Sequence, residues 1–315
     1  MVISRTPLRM SFFGGGTDFT EFYKSSGGCA LTTAIDKYIY VIVKPRLDSK
    51  IRVTYTRAEL VDCVDDLKHD IIRECLKLVG IDGGIEIITV GDIPAGTGMG
   101  SSSSVTVGVL RALYAYTGNE ASVEGLAKDA CVIEKDVLQK PIGIQDQYIA
   151  AYGGFRFFEF GSEITSELLD FGDLQDNLLL FYTGMTRKSG SILEDQLDNT
   201  SRNTDVLLGI KELAYRAKET VKERDYATFG RLLGESWELK KSLAGKISNP
   251  AIDGWYQKAI DAGAYGGKVL GAGGGGFLAF ICDSKDKTCV RGALRGLMEL
   301  SVSAEPSGSK VILDL

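Results

Sequence analysis

Four stretches of this chain carry residue types and spacings that could do chemistry. The most informative is Pro94-Ala95-Gly96-Thr97-Gly98-Met99-Gly100-Ser101-Ser102-Ser103-Ser104. Glycines let a backbone pass close to a ligand, and the serine run opens an apolar, helix-like segment from Val105 to Tyr116. Loop amides and a helix N-terminus together make an anion site, and a nucleotide phosphate is the fitting anion. A helix start needs only one serine as a cap; four behind three spaced glycines exceed that need. A serine hydroxyl could also reach a magnesium ion, which takes one or two protein oxygens and keeps its waters.

Two better-known phosphate patterns do not account for this loop. The P-loop requires lysine after its last glycine, and Ser101 follows Gly100 here. The Rossmann spacing occurs once, at Gly271-Ala272-Gly273-Gly274-Gly275-Gly276, but a strand-like run, Phe277 to Cys282, follows where a helix should open. So many glycines cost conformational entropy in a mere turn, which favours close approach to a ligand, at Gly274 and Gly275 among others. Near the N-terminus, Arg9 precedes Gly14-Gly15-Gly16-Thr17-Asp18. Asp18 reads equally as an acceptor for polyol hydroxyls or as a helix cap. Finally, Gly143-Ile144-Gln145-Asp146-Gln147 follows Glu134. Paired carboxylates suit metal-assisted phosphoryl transfer, one holding Mg²⁺ and one accepting a hydroxyl proton. On spacing alone, Glu134 reads as a solvated helix residue, and Asp146 equally as a base or a cap.

Composition limits the function classes. The chain has 315 residues, 44% hydrophobic and 25% charged, with a formal charge of −6. That is long enough for two domains, and an acidic balance argues against a nucleic-acid partner. Cys29, Cys63, Cys75, Cys131, Cys282 and Cys289 show no C-x-x-C spacing, which reads as reduced intracellular thiols. His69, the one histidine, reads as a surface residue on the polar side of a helix. No secretory layout or membrane-length apolar run occurs, so the expectation is a cytoplasmic protein with no membrane partner. Oligomeric state is not readable from the sequence.

The elements that must position these residues follow from periodicity. Strands are expected at 38–44, 51–55, 84–90, 155–160, 177–182, 268–282 (with the glycine cluster) and 310–313. Helices are expected at 65–79, 101–116, 122–139, 193–224, 226–244, 252–262 and 287–300. The looser stretch 161–176 is the expected boundary, giving domains 1–170 and 171–315. Mixed elements without strict alternation indicate an α+β chain in two lobes.

The four stretches, in this order, resemble the three motifs and the G-x-x-D-Q segment of the GHMP kinases, the superfamily of galactokinase and of homoserine, mevalonate and phosphomevalonate kinases. The likeness runs from Pro7 to Gly276. It implies an S5-like N-terminal ATP-binding domain, a ferredoxin-like C-terminal domain and a cleft between them. It also implies ATP on residues 94–103, Mg²⁺ on Ser102 and Glu134, and Asp146 as base or hydroxyl-orienting group. Arg9 would steady that carboxylate and the transferring phosphoryl group. Gly15, Gly16, Thr17 and Asp18 would hold the sugar. Phe13-Gly14-Gly15-Gly16-Thr17-Asp18 resembles the branch that phosphorylates the C1 hydroxyl of D-glycero-D-manno-heptose 7-phosphate, on the path to GDP-activated heptose. Such an acceptor calls for a basic clamp, and Arg187 and Lys188 read equally as that clamp or as an exposed helix start. A sugar-1-kinase for an unphosphorylated sugar such as fucose, and a non-catalytic sugar or nucleotide sensor, are the alternatives.

Overall fold

A computed structural model describes residues 1–186, 190–200 and 202–315. Strands β1 (Val2–Phe13) and β2 (Gly28–Pro45) form the centre of an eight-stranded sheet. Helix α1 (Thr20–Ser26) lies between them. β3 (Ile51–Thr54), β4 (Ala58–Val61), α2 (Asp70–Val79) and β5 (Ile85–Gly91) follow, and then α3 (Ser101–Tyr116), α4 (Val123–Cys131) and α5 (Gln145–Tyr152). β6 (Phe155–Phe160) and β7 (Ile164–Leu169) complete this stretch. The sheet runs in the order β5, β2, β1 at its middle, with β6 on the other part of β2.

The second stretch holds α6 (Leu174–Asn177), β8 (Leu178–Tyr182), α7 (Gly190–Asp198), α8 (Thr204–Lys222) and α9 (Tyr226–Ser242). It ends with α10 (Pro250–Asp261), β9 (Ala264–Val269), β10 (Phe277–Cys282), α11 (Lys287–Ala293), β11 (Met298–Glu299) and β12 (Lys310–Asp314). Strands β11, β8, β10 and β9 form a separate four-stranded antiparallel sheet. β12 returns to pair with β1 in the first sheet. The molecule is therefore a two-lobed α+β fold with its last strand lent back to the first lobe.

Two features set the cleft between the lobes. Helix α3 lies hard against β1: a methyl group on Gly108 would come 2.8 Å from Thr6 Oγ1, and Ser4 donates to the Gly108 carbonyl. Glycine here lets the helix approach the strand that carries Arg9. The second feature is an aromatic cluster. Phe12 and Phe13 of β1 meet Phe229 of α9 edge-on, with ring centroids 5.6 and 5.2 Å apart, and Phe12 also meets Phe155. Such pairs contribute roughly 0.5–1.5 kcal/mol each beyond burial. They join the end of β1 to the second lobe immediately before the glycine turn.

Several elements differ from the sequence expectation. Residues 65–79 do not form one helix: a 3₁₀ turn covers Val64–Asp66, and α2 starts at Asp70 with His69 as its cap. The helix expected over 193–224 divides into α7 and α8. Asn199 donates to the Asp195 carbonyl and Thr200 to that of Gln196, and such local bonds compete with helix continuation. Residues 164–169, expected to be loose, form the edge strand β7 on β6. The helix expected over 287–300 stops at Ala293, and β11 follows. Residues 58–61 form β4, paired only with β3 and too short, at four residues, for an alternating pattern to stand out.

Candidate active site

A cleft of about 580 Å³ brings most of the sequence-selected residues together. Gly96, Gly98, Gly100 and Ser101–Ser103 form one wall, with Pro94 and Ala95 at its edge. Gly100 is the N-cap of α3, in the left-handed region at φ 74°, and no side chain caps the helix. The serines therefore do not spend their hydroxyls on the helix start, and its first N–H groups are left for a ligand. Gly98 (φ 80°) and Gly271 (φ 71°) pack backbone to backbone. A methyl on Gly98 would meet the Leu270 carbonyl oxygen at 2.4 Å, and one on Gly271 would meet the Gly98 Cα at 2.7 Å. The last glycine cluster is thus the buttress of the loop, and the second lobe holds it there.

Arg9 lies where the loop meets the other wall. Its Nε and Nη2 donate to Asp146 Oδ1 and Oδ2 at 2.7 and 2.6 Å, and its Nη1 donates to the Gly98 carbonyl at 2.5 Å. The fork–fork pair fixes the plane of the carboxylate. Each carboxylate oxygen has a second lone pair for a substrate hydroxyl. Asp146 also lies in the first turn of α5, where the helix dipole favours an anion.

Glu134 is fully buried, in a π-helical turn over Val132–Val137 that continues α4. Ser102 Oγ donates to its Oε2 at 2.9 Å, and Gln147 Nε2 donates to Oε1 at 3.1 Å. The Lys140 ammonium is 3.9 Å away. Burial raises the Glu134 pKa, opposed by Lys140 and the hydroxyl hydrogen bonds. A buried carboxylate against a serine hydroxyl is a hard-oxygen donor set, which fits Mg²⁺. No larger cluster of metal-ligating side chains occurs among the described residues, and Mg²⁺ needs none. The solvated-helix reading of Glu134 is overturned by its complete burial.

The glycine turn forms the far end. Asp18 Oδ1 accepts from Gly16 N at 2.9 Å, and Oδ2 accepts from Gln145 N at 3.2 Å. Gly143 is required beside it, since a methyl there would fall 1.8 Å from Asp18 Oδ2. Gly15, Gly16 and Asp18 line the cleft.

Some selected residues stand behind the cleft rather than on its wall. Thr17 ties the turn together, the one proton of its hydroxyl lying within reach of both the Gly14 and Cys29 carbonyls and its oxygen accepting from Cys29 N. Thr97 bonds back to the Pro94 carbonyl, and Met99 is core. Gly274 donates to the Ile247 carbonyl, and Gly275 packs on Met185; neither lines the cleft. Arg187 and Lys188 lie outside the described residues.

His69 corrects its expectation. It is half-buried on the cleft wall, its Nδ1 accepting from Ile72 N and its ring edge-on to Tyr55 at 4.7 Å. Burial lowers its pKa, against the opposing charges of Asp70 and Glu59. It adjoins apolar lining from Ile39, Tyr55, Ile71, Ile93 and Val105. Sequence reasoning also missed Ser11, Gln145, Gln196 and Lys240, all on the wall. Lys240 had a signal: Phe229, Leu233, Ser236 and Trp237 mark the buried stripe of α9, and Lys240 continues it.

The N-terminal part matches the family described as "GHMP kinases N terminal domain" over residues 66–154, and the C-terminal part matches "GHMP kinases C terminal" over 217–295. The chain belongs to the GHMP kinase family. It is 32% identical to a D-glycero-alpha-D-manno-heptose 7-phosphate kinase of Campylobacter jejuni, over 93% of this chain and 92% of that protein. A galactokinase of Pyrococcus furiosus is 27% identical, with 92% of each chain covered. Among solved structures, a D-glycero-D-manno-heptose 1-phosphate kinase from Bacteroides thetaiotaomicron superposes with a TM-score of 0.83 at 24% identity, covering both chains completely. A putative sugar kinase from Campylobacter jejuni gives 0.77 at 30% identity, covering 98% of this chain and 97% of that one. This GHMP kinase is thus a sugar kinase by homology. No helix among its described residues is long and apolar enough to cross a membrane.

Proposed function

We propose that this GHMP kinase transfers the γ-phosphoryl group of ATP to the anomeric C1 hydroxyl of D-glycero-D-manno-heptose 7-phosphate, giving the 1,7-bisphosphate. The observation that carries the reading is the Arg9–Asp146 fork, held between the glycine–serine loop and the Asp18 turn. A carboxylate fixed at that junction can serve a hydroxyl on one side and a phosphoryl donor on the other. The 32% identical heptose 7-phosphate kinase supports the choice of sugar.

In this mechanism the amides of residues 96–103 hold the ATP phosphates, and the apolar lining near Tyr55 and His69 takes the adenine. Ser102 and Glu134 would hold Mg²⁺, which when bound neutralises phosphate charge. Asp18 and the backbone of the turn orient the sugar. Asp146 accepts the C1 hydroxyl proton as that oxygen bonds to the γ-phosphorus. The bond from phosphorus to the β-phosphate oxygen breaks, and ADP leaves. Arg9 steadies Asp146 and the transferring group. The same proposal divides the chain into domains 1–170 and 171–315, with β12 lent to the first sheet. It also places the protein in the cytoplasm, in keeping with six free cysteines.

The test is a screen for ADP release with ATP, Mg²⁺ and sugars offered with and without a terminal phosphate. Heptose 7-phosphate should give the highest kcat/KM. A preference for free fucose or galactose would overturn the choice of acceptor. ADP release with no sugar would overturn the kinase reading itself.

A further inference from the structure

His69 is the one histidine of the chain, and the mechanism above uses it only as lining. Three neighbours fix its place. As the N-cap of α2 it accepts at Nδ1 from Ile72 N at 3.4 Å. From β4, Glu59 holds the residue and its surroundings together: Oε1 accepts from His69 N at 3.1 Å and from the Tyr55 hydroxyl at 3.0 Å, and Oε2 accepts from Lys68 N at 2.6 Å. Tyr55, in the turn between β3 and β4, meets the imidazole edge-on at 4.7 Å. Tyr55, His69 and Ile71 of α2 line the cleft together, beside Ile39, Ile93 and Val105.

Helix starts mostly take Ser, Thr, Asp or Asn as cap, and a histidine differs from these near neutral pH. Nδ1 accepts only while it carries no hydrogen, so the cap requires the neutral ring with its proton on Nε2. A second proton would turn the acceptor into a donor facing the N–H that it now satisfies. It would also set a positive charge at the positive end of the α2 dipole. Burial favours the neutral ring as well and holds the His69 pKa below its ordinary value of 6.5. The charges around the ring pull both ways. Asp70 in the first turn of α2 and Glu59 of β4 favour the imidazolium, and Lys140, from the loop after the π-helical turn and 3.8 Å from Asp70, opposes it. Lys68 precedes the ring and is exposed. Arg73, one turn along α2, is taken up by Glu74 at 2.7 Å and by the Leu67 carbonyl.

We infer that His69 is a positioning residue for the base of the donor nucleotide: as a neutral imidazole it caps α2 and, against Tyr55, sets the wall on which the base lies, and a proton on Nδ1 releases that wall and weakens donor binding. The inference rests on the kinase reading above, which lays the adenine on this lining, and it adds a pH dependence to that same site. Because the folded ring titrates below 6.5, donor binding is complete above that pH and is lost as pH falls through the folded-state value. The sugar contacts at the Asp18 turn lie at the other end of the cleft and take no part.

The experiment uses adenosine as its probe, which carries the base without phosphates whose own titration overlaps that of an imidazole. With one histidine in the chain, a single imidazole signal reports the ring directly by proton NMR. Its midpoint should lie below 6.5 in the free protein and fall further with adenosine bound, because a ligand that prefers the neutral form depresses the pKa. The Kd for adenosine should rise about threefold between about pH 7.5 and the pH at which about two thirds of the ring is charged, since only the neutral fraction binds well. His69→Asn keeps a cap that does not titrate, so its Kd should stay level over the same range. His69→Ala has no cap and should bind more weakly than the parent at neutral pH, with no pH dependence. A parent Kd that stays level while the His69 signal titrates overturns the inference and leaves the kinase reading standing. A midpoint that rises on adding adenosine, or a His69→Asn variant with the parent's pH dependence, overturns it equally. Adenosine that leaves the signal unmoved, in a protein that turns over ATP and sugar, takes the base off this wall and defeats the inference alone; a protein that turns over ATP with no sugar acceptor at all loses the kinase reading with it.

Discussion

At the end of the cleft proposed for the donor the protein presents mostly backbone; at the end proposed for the acceptor it presents mostly side chains. Residues 96–103 hold their shape because Gly98 and Gly100 adopt positive φ and because Gly271 lets a second chain segment press against Gly98. Asp18, Gln145, Lys240 and Gln196 come instead from the β1–α1 turn and from α5, α9 and α7, in both lobes. In the proposed mechanism the backbone cradle binds the phosphate chain of ATP. A side-chain set can be changed by substitution without rebuilding the backbone. Arg9 and Asp146 stand between the two ends, and in the proposed mechanism they serve both.

That contrast can be broken in several ways, and the largest effect is expected at the junction. Asp146→Asn should lower kcat by about a thousandfold, within the range for losing a positioned base, with KM for ATP nearly unchanged. Turnover close to normal would remove Asp146 from the proton's path. Next come the two glycines that separate the ends. Gly98→Ala forces a methyl to 2.4 Å from the Leu270 carbonyl at φ 80°. It should cost about 2–3 kcal/mol of stability, as backbone strain and overpacking do, and raise KM for ATP. Gly143→Ala drives into Asp18 at 1.8 Å and should raise KM for the sugar. If both variants moved the same KM, the cleft would not divide as described.

Glu134→Gln tests the buried carboxylate at the donor end by stability rather than turnover. The folded pKa of Glu134 is raised above its ordinary value of 4.5 by burial. The stability its neutral form contributes is complete below the unfolded-state value and is lost as pH rises through the folded one. The variant should therefore match the parent Tm below about pH 4 and exceed it at neutral pH. Added Mg²⁺ should raise the parent's Tm and leave the variant's almost still. Equal Tm values at every pH would place Glu134 in a solvated setting. The smallest effect belongs to Ser11→Ala, which removes the 2.7 Å bond from Ser11 to Gln145 Oε1. KM for the sugar should rise a few-fold, about 1 kcal/mol, with ATP unaffected.

The same contrast explains what could be read from the chain alone. The glycine–serine loop was legible because the role proposed for it rests on its backbone, and glycine and serine spacing records backbone directly. Asp18 and Asp146 were legible as carboxylates close behind glycines; Arg9 and Glu134 took their roles from the resemblance, and spacing alone gave Glu134 to solvent, which only a buried π-helical turn overturns. The acceptor wall left almost no local trace. Gln196 follows Ile192 by four residues on the buried side of a short helix, and Lys240 extends the apolar stripe of α9; each looks ordinary until the lobes are brought together. His69 read as a surface residue because a 3₁₀ turn and a cap occupy what periodicity joins into one helix. The lone strand β12 shows the same limit, since pairing with β1 across the length of the chain has no local signature.

The central claim is that a second phosphate is placed on C1 of an acceptor already carrying one. Phosphorus NMR of the protein with ATP, Mg²⁺ and D-glycero-D-manno-heptose 7-phosphate tests it directly. The account predicts a new phosphate signal coupled to the anomeric proton, growing in step with ADP while the 7-phosphate signal persists. ADP formed without that signal, or a new ester at any other carbon, would contradict it.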